Sequence, residues 1–515
     1  MSCSPFASGE PDDTTAGRAS FPHAEGPGVE VIFGIPGVHS QEMYRGIAEA
    51  GITHVLARHE QGAGFMADGY ARASGRPGVA YVITGPGLTN IMTPLGQGYS
   101  DSVPMLVLSS CLDETAARRG QLHQMKDQRG AGACVADWSE EARDARAAYG
   151  LVDRAFEEFE IARPRPKHIQ LPIGALEAEA PPPPHMPGIR ARAGAPDVAP
   201  LLSLLAVARR PLFILGGARG VLWRDLLAPL GVATMTTYAG RGAMGAGYEL
   251  DFGACLARPG SAEVIASADL VVAIGTELAE VDLWRSDLGH SAMLVRVDLD
   301  PEVLADGQRA TVKILADADS FARAFWAGSK GRSPAGGWTP EEVAEARARW
   351  RAEIEAERPG LVPVIEALRA TVPGHAAIYS DMTQFAYAAK EVWDMTAPGL
   401  WHHPTGFGTL GYALPAAIGG AVARKGAPTL AIAGDYGFQY TMAELAVAVE
   451  LRLPLPILLW DNAGLGEITD SMVAAQIAPT ATRAHNPDFC ALARAFGARA
   501  EAPSSLAELQ DAVRA

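Results

Sequence analysis

Apolar and polar positions along this chain follow two rhythms. Short apolar runs stand at 29–34, 54–57, 79–84, 105–109 and 167–172. Between them, at 40–50, 61–73 and 88–98, apolar residues return every three or four positions. The first rhythm predicts buried strands and the second amphipathic helices. Strands alternating with helices at these spacings imply a parallel sheet covered by helices on both faces. The pattern repeats with strands at 211–216, 232–237, 270–275, 293–298 and 312–316. It returns a third time, with helical runs at 341–357 and 361–372 and strands at 376–380, 429–433 and 456–460.

The breaks in the rhythm divide the chain. Residues 1–28 show neither period and are rich in Ser, Gly, Pro and Asp, which predicts a flexible arm. Residues 179–200 hold seven prolines, four of them consecutive, and cannot continue a helix or a central strand. That stretch is a linker, and 327–340 is a second. The expectation is an α/β protein of three mostly parallel, helix-flanked units at 29–178, 201–326 and 341–515. A length of 515 residues agrees with about three domains.

Composition narrows the function. With 48% hydrophobic and 20% charged residues the chain is neither disordered nor fibrous. Its net charge of −16 repels phosphate backbones and anionic lipid, so nucleic-acid and membrane partners are not expected. The most apolar stretch, 407–423, carries four glycines and a proline and is shorter than a bilayer span. Cys3, Cys111, Cys134, Cys255 and Cys490 are scattered, odd in number and contain no CxxC pair. That argues against a disulfide framework or structural zinc and fits a reducing cytoplasm. No basic segment followed by an apolar run opens the chain, so no secretory signal is expected.

Open parallel sheets bind ligands beyond the carboxyl ends of their strands. Two features sit there. In TLAIAGDYGF at 429–438, ahead of an expected helix at 442–451, Gly434 and Gly437 flank Asp435 and Tyr436. Glycines in such a turn let backbone N–H groups approach a phosphate. The next strand runs into Asp461, Asn462, Ala463 and Gly464. Asp435 and Asn462 thus end neighbouring strands and can offer two oxygens to a hard cation such as Mg2+. An Asp that merely caps the next helix is the plainer reading of Gly-Asp alone. The second feature places Glu60, in Arg58-His59-Glu60-Gln61, after a strand and at a helix start. There an acid can also simply complement the helix dipole.

Three segments of the first unit, VIFGIPG at 31–37, RHEQGAGFMADGYAR at 58–72 and TGPGLTN at 84–90, carry a resemblance. They resemble the pyrimidine-binding domain of thiamin-diphosphate enzymes of the acetolactate synthase, benzoylformate decarboxylase and pyruvate oxidase group. GFGTLGYALPAA at 406–417, with Gly434-Asp435 and Asn462, resembles the diphosphate-binding domain of the same group. The resemblance covers residue 29 to the C-terminus and implies a 2-oxo acid decarboxylase using thiamin diphosphate and Mg2+. Glu60 would hydrogen-bond N1′ of the aminopyrimidine. Leu410 would bend the cofactor, and backbone around Gly408 and Leu410 would hold its 4′-amino group. Asp435, Asn462 and the Gly464 carbonyl would hold Mg2+, with Gly434 to Gly437 around the diphosphate. Because this group places its cofactor between the first domain of one subunit and the third of another, a homodimer or a tetramer is implied. The chain departs from the pattern at three places. Tyr436 replaces the usual third glycine, the arm replaces a leading helix, and Ala515 comes before an expected last strand.

LHQMKDQ at 122–128, GYALP at 411–415 and WDNAGLGEI at 460–468 most resemble the 5-guanidino-2-oxopentanoate decarboxylases. His123 and Gln124 would reach the substrate, or lie in a polar surface loop. Glu467 and Asp470 share a helix face. Glu467 can pair with a guanidinium substrate, or simply face water. GGARG at 216–220 is weak as a nucleotide loop, so FAD is not expected. The alternatives are an acetolactate synthase-type carboligase and a catalytically impaired cofactor-binding homologue. A nicotinamide dehydrogenase recedes further, since no Gly-x-Gly-x-x-Gly follows a strand.

Overall fold

The computed structural model describes residues 28–114, 119–183, 194–217, 221, 223–333 and 335–514. The predicted arm up to residue 27, the proline-rich stretch at 184–193, the turn at 218–220, Cys3 and Ala515 lie outside the described residues.

Three parallel sheets form the frame. The first contains β1 (Val31–Gly34), β2 (Thr53–Leu56), β3 (Gly78–Val82), β4 (Met105–Cys111), β5 (Trp138–Glu141) and β6 (Lys167–Pro172), ordered β2-β1-β3-β4-β6-β5. The second holds β7 (Pro211–Leu215), β8 (Ala233–Thr236), β9 (Leu270–Ile274), β10 (Met293–Asp298) and β11 (Val312–Leu315), ordered β11-β10-β9-β7-β8. The third orders β12 (Ala377–Ser380), β13 (Trp401–His402), β14 (Thr429–Gly434) and β15 (Ile457–Trp460) as β13-β12-β14-β15. Paired strands run parallel throughout, as in register Ile32 with Val79 and Gly434 with Trp460. The three-unit α/β architecture is therefore as the hydrophobic rhythm predicts. Two edge strands escaped it: β5 reads WSEE and β13 is two residues long, so neither is an apolar run. The helix expected at 40–50 covers only Gln41–Arg45 and gives way to turns before Gly51, whose φ is 68°.

Each sheet buries apolar strands that read almost without interruption, such as LVVAI in β9, as strands covered on both faces must. The helix Pro340–Glu357 sends Val343, Ala346 and Trp350 into the core of the central sheet rather than the third. The first and third domains meet through the helices Glu60–Ser74 and Ala413–Ala423. Gly69 lies against the backbone of Ala416 and Gly419 against that of Met66, so closely that a methyl group at either would collide with a carbonyl. Small residues make this approach possible. Tyr379 donates to the Gly69 carbonyl at 3.0 Å, and Tyr412 to Asp68 at 2.7 Å, across the same contact. No helix among the described residues is long and apolar enough to cross a membrane.

Candidate active site

In the third domain β14 ends at Gly434 and the next helix starts at once, spanning Asp435–Thr441, with a 3-10 turn Met442–Glu444 and a second helix Leu445–Glu450 after it. This corrects the expected start at 442: the strand end and the helix N-terminus coincide. Tyr436 is the second residue of that helix and is not among the residues of positive φ. The turn therefore takes a side chain there without backbone strain. Gly437 is a different case, since a Cβ would strike the carboxylate of Asp381.

Asp435 is 2% exposed, and Asn486 Nδ2 donates to its Oδ2 at 2.7 Å. Its other oxygen points at the end of β15. There the Asn462 amide oxygen stands 3.3 Å from Asp435 Oδ1 and 2.7 Å from the Gly464 carbonyl, while its nitrogen donates to Gln384 at 3.3 Å. Three acceptors facing one another repel. Turning the amide over would let it donate to both, and a cation between them relieves the same repulsion with the amide as it stands. This donor set of one carboxylate, one amide and one carbonyl fits a hard divalent ion.

Leu410, half-buried, lies between two glycines in the left-handed region, Gly408 at φ 66° and Gly411 at φ 83°. Asp381, which sequence reasoning missed, fixes this loop. Its Oδ2 accepts the Gly411 N–H at 2.8 Å and its Oδ1 that of Met382 at 2.9 Å. Burial pushes the Asp381 carboxyl up to about 6. One side chain thus touches both the Leu410 loop and the Gly437 turn.

Glu60 opens the helix Glu60–Ser74, is 8% exposed, and accepts a hydrogen bond from Asn90 Nδ2 at 2.8 Å. Burial and the Glu60 charge raise the neighbouring Tyr44 phenol. No hydrogen bond or ion pair among the described residues joins Glu60 to Asp435 or Asn462.

Glu444, also missed, braces the backbone just ahead of Glu60. It accepts the Arg58 N–H at 3.1 Å and the His59 N–H at 2.9 Å. Burial pushes its carboxyl up from 4.5 to about 7. The folded protein therefore holds this proton more tightly than the unfolded chain. Its contribution to stability is full below about 4.5 and is lost as pH rises through about 7. That difference is worth about 3 kcal/mol. Thermal melts of the wild type should fall across this window and those of Glu444→Gln should stay flatter; parallel curves would refute the assignment.

The substrate-facing expectations land as follows. His123, at φ 61°, packs edge-on against His39 with ring centroids 5.1 Å apart, and Nδ1 of each ring is buried without a hydrogen-bond partner. Gln124 turns its amide oxygen back to the Gln121 N–H at 3.3 Å. Gln128 ties this loop down, accepting the Gly85 N–H at 2.8 Å and donating to the Ser110 carbonyl at 2.9 Å. Glu467, in the helix Gly466–Ala474, takes the Arg358 guanidinium on both oxygens, at 2.9 and 3.2 Å. Asp470 accepts from Gln384 at 3.0 Å.

Two parallel-sheet domains with a glycine turn and oxygen cradle on one, and a buried glutamate on the other, flanking a third α/β domain, define a thiamin-diphosphate enzyme. Family models agree in order and extent. The thiamine pyrophosphate enzyme N-terminal binding domain matches residues 21–131, the central domain 198–325 and the C-terminal binding domain 381–515. The chain belongs to the thiamine pyrophosphate enzyme family. It is 42% identical, over 97% of its length and 91% of the relative's, to a probable 2-ketoarginine decarboxylase, AruI, of Pseudomonas aeruginosa. It is also 26% identical to the acetolactate synthase isozyme 1 large subunit of Escherichia coli, over 94% of this chain and 90% of that one. A further acetolactate synthase large subunit, IlvB1 of Mycobacterium tuberculosis, is 28% identical over 94% and 82%.

Proposed function

We propose that this enzyme decarboxylates 5-guanidino-2-oxopentanoate non-oxidatively, with thiamin diphosphate and Mg2+, as a cytoplasmic homodimer or homotetramer. The observation that carries the reading is the convergence of Asp435, Asn462 and the Gly464 carbonyl at the ends of two adjacent strands. When bound, thiamin diphosphate supplies the electron sink for cleaving the bond to the carboxylate. The chain's own residues bind and aim it. Asp435, Asn462 and the Gly464 carbonyl would hold the cation, and the helix N-terminus from Gly434 through Tyr436 to Gly437 would hold the diphosphate. Leu410 would support the cofactor, and backbone at Gly408 and Leu410 would take its 4′-amino group. Glu60 holds a proton at N1′, with Asn90 keeping its carboxylate oriented. The family's placement of its cofactor between the first domain of one subunit and the third of another supports a second copy completing each site. FAD has no part in this reading; the glycine-rich turn that would bear on it lies partly outside the described residues.

The substrate assignment rests on chemistry that a guanidinium recognises and on the printed name of the 42%-identical relative. Glu467 already accepts a guanidinium, that of Arg358, on both oxygens. A substrate guanidinium would compete for that carboxylate, with His123 and Gln124 approaching from the first domain. Glu467→Gln should raise KM for the guanidino acid at least about tenfold and leave pyruvate kinetics alone; an unchanged KM removes Glu467 from recognition. The acetolactate synthases among the relatives support a second reading, carboligation of two 2-oxo acids.

The deciding experiment is carbon dioxide release and product analysis with purified protein, thiamin diphosphate and Mg2+, offering 5-guanidino-2-oxopentanoate beside pyruvate. Preference for the guanidino acid with an aldehyde product supports the proposal. Release from pyruvate with a condensed product favours carboligation. Silence on both substrates in folded protein points to a catalytically impaired homologue.

A further inference from the structure

A buried polar row in the first domain ties into the loop that carries His123, and the proposed reaction assigns it no role. It crosses three adjacent strands, from Ser109 on β4 through His168 on β6 to Ser139 on β5. His168 Nε2 lies 2.8 Å from Ser109 Oγ, and Nδ1 lies 2.7 Å from Ser139 Oγ. Gln128, 8% exposed, joins the row. Its Nε2 donates to Ser109 Oγ at 3.1 Å and to the Ser110 carbonyl at 2.9 Å, while its Oε1 accepts the Gly85 N–H at 2.8 Å.

The direction of these bonds is set from one end. A backbone N–H can only donate, so Gly85 fixes which way the Gln128 amide faces. Both amide hydrogens then go to Ser109 and Ser110. Ser109 is fully buried, and its own hydrogen goes to His168 Nε2. Burial pushes the His168 imidazole down to about 3, so the ring is neutral and carries its one hydrogen on Nδ1, toward Ser139. The row holds Gln128 in a single orientation.

Gln128 stands where two segments meet. Gly85 directly precedes the helix Pro86–Ser100, whose Asn90 donates to Glu60 at 2.8 Å. Gln128 itself closes the loop at 121–128, in which His123 has a φ of 61°. A residue other than glycine keeps such backbone only where its surroundings hold it there. The two segments also touch: Gly85 lies so close to the His123 carbonyl that a methyl group at 85 would collide with it. We infer that Gln128 is a positioning residue, locking the turn ahead of Asn90 and the His123 loop into one unit and so fixing Glu60 and His123 relative to each other. His168 acts through it by way of Ser109. The role rests on the thiamin-diphosphate reading, in which Glu60 and His123 face the reacting groups.

Gln128→Met keeps the side chain's length and removes its three hydrogen bonds. Ser109→Ala removes one hydroxyl, leaves Gln128 its bonds to Gly85 and Ser110, and decides the question if Gln128→Met does not fold. Both are saturated with thiamin diphosphate and Mg2+ and assayed with whichever of the guanidino acid and pyruvate the wild type turns over. A lower kcat and a higher KM are expected, with kcat/KM down at least about tenfold in Gln128→Met and about threefold in Ser109→Ala. The cofactor-dependent thermal shift should persist. Amide hydrogen exchange should quicken in 84–90 and 121–128 together and stay unchanged in the third domain. A lower melting temperature with kcat and KM unchanged would make the row purely structural and overturn the role. Exchange that quickens in only one of the two segments overturns it as well. If the wild type turns over neither acid, the proposed function fails, and the exchange pattern still decides whether the two segments are one unit.

Discussion

Glu60→Gln should bind thiamin diphosphate and Mg2+ while releasing carbon dioxide about 100-fold or more slowly than the wild type. A glutamine keeps the size of the side chain and can still accept the Asn90 hydrogen bond now made to Oε2. What it loses is the capacity to hold and return a proton, and positioned proton transfer is worth about 10²–10⁴ in rate. The helix start is otherwise untouched, because the Gln61 N–H is capped by His59 Nδ1 at 3.1 Å. Paired measurements separate the cases: cofactor-dependent thermal shift for binding, and carbon dioxide release for turnover. Equal turnover in the variant would remove Glu60 from the reaction, and loss of the thermal shift would make it a binding residue only.

Asp435→Ala should abolish the Mg2+-dependent stabilisation by thiamin diphosphate and lower cofactor affinity at least about 100-fold, while the protein still folds. The carboxylate is the only charged member of the oxygen cradle, and a divalent ion takes much of its affinity from that charge. Without it, Asn462 and Gly464 offer a neutral pair that cannot hold the ion against water. Asn486 also loses its 2.7 Å partner but keeps Asp461 at 2.8 Å, so local order should survive. Titration of Mg2+ at fixed cofactor, with melting temperature read out, tests this directly. An unchanged Mg2+ dependence would show that the cation sits elsewhere.

The apolar runs made the three sheets legible because their strands are buried on both faces and admit few polar residues. Edge strands were not legible, since Trp138–Glu141 and Trp401–His402 need no apolar run to pair on one side. The proposed site residues Glu60, Asp435 and Asn462 were legible as candidates because they follow strand ends, a position set by local sequence. Asp381 and Glu444 could not. Glu444 meets Arg58 across 386 residues, and Asp381 reaches Gly411 across 30. No local period encodes such meetings. The one trace in sequence is the company of small residues: Gly62 lies against the Glu444 carboxylate and Gly437 against that of Asp381. A glycine inside a helix, where its flexibility is unfavourable, marks a close neighbour without naming it.

The close contact of the helices Glu60–Ser74 and Ala413–Ala423 bears on how members of this family can recombine. Gly69 and Gly419 each lie on the opposing backbone, so the two surfaces are cut to fit one another to within a methyl group. A chimera that draws its first domain from one parent and its third from another joins halves that were never matched. The productive crossover keeps both helices from a single parent.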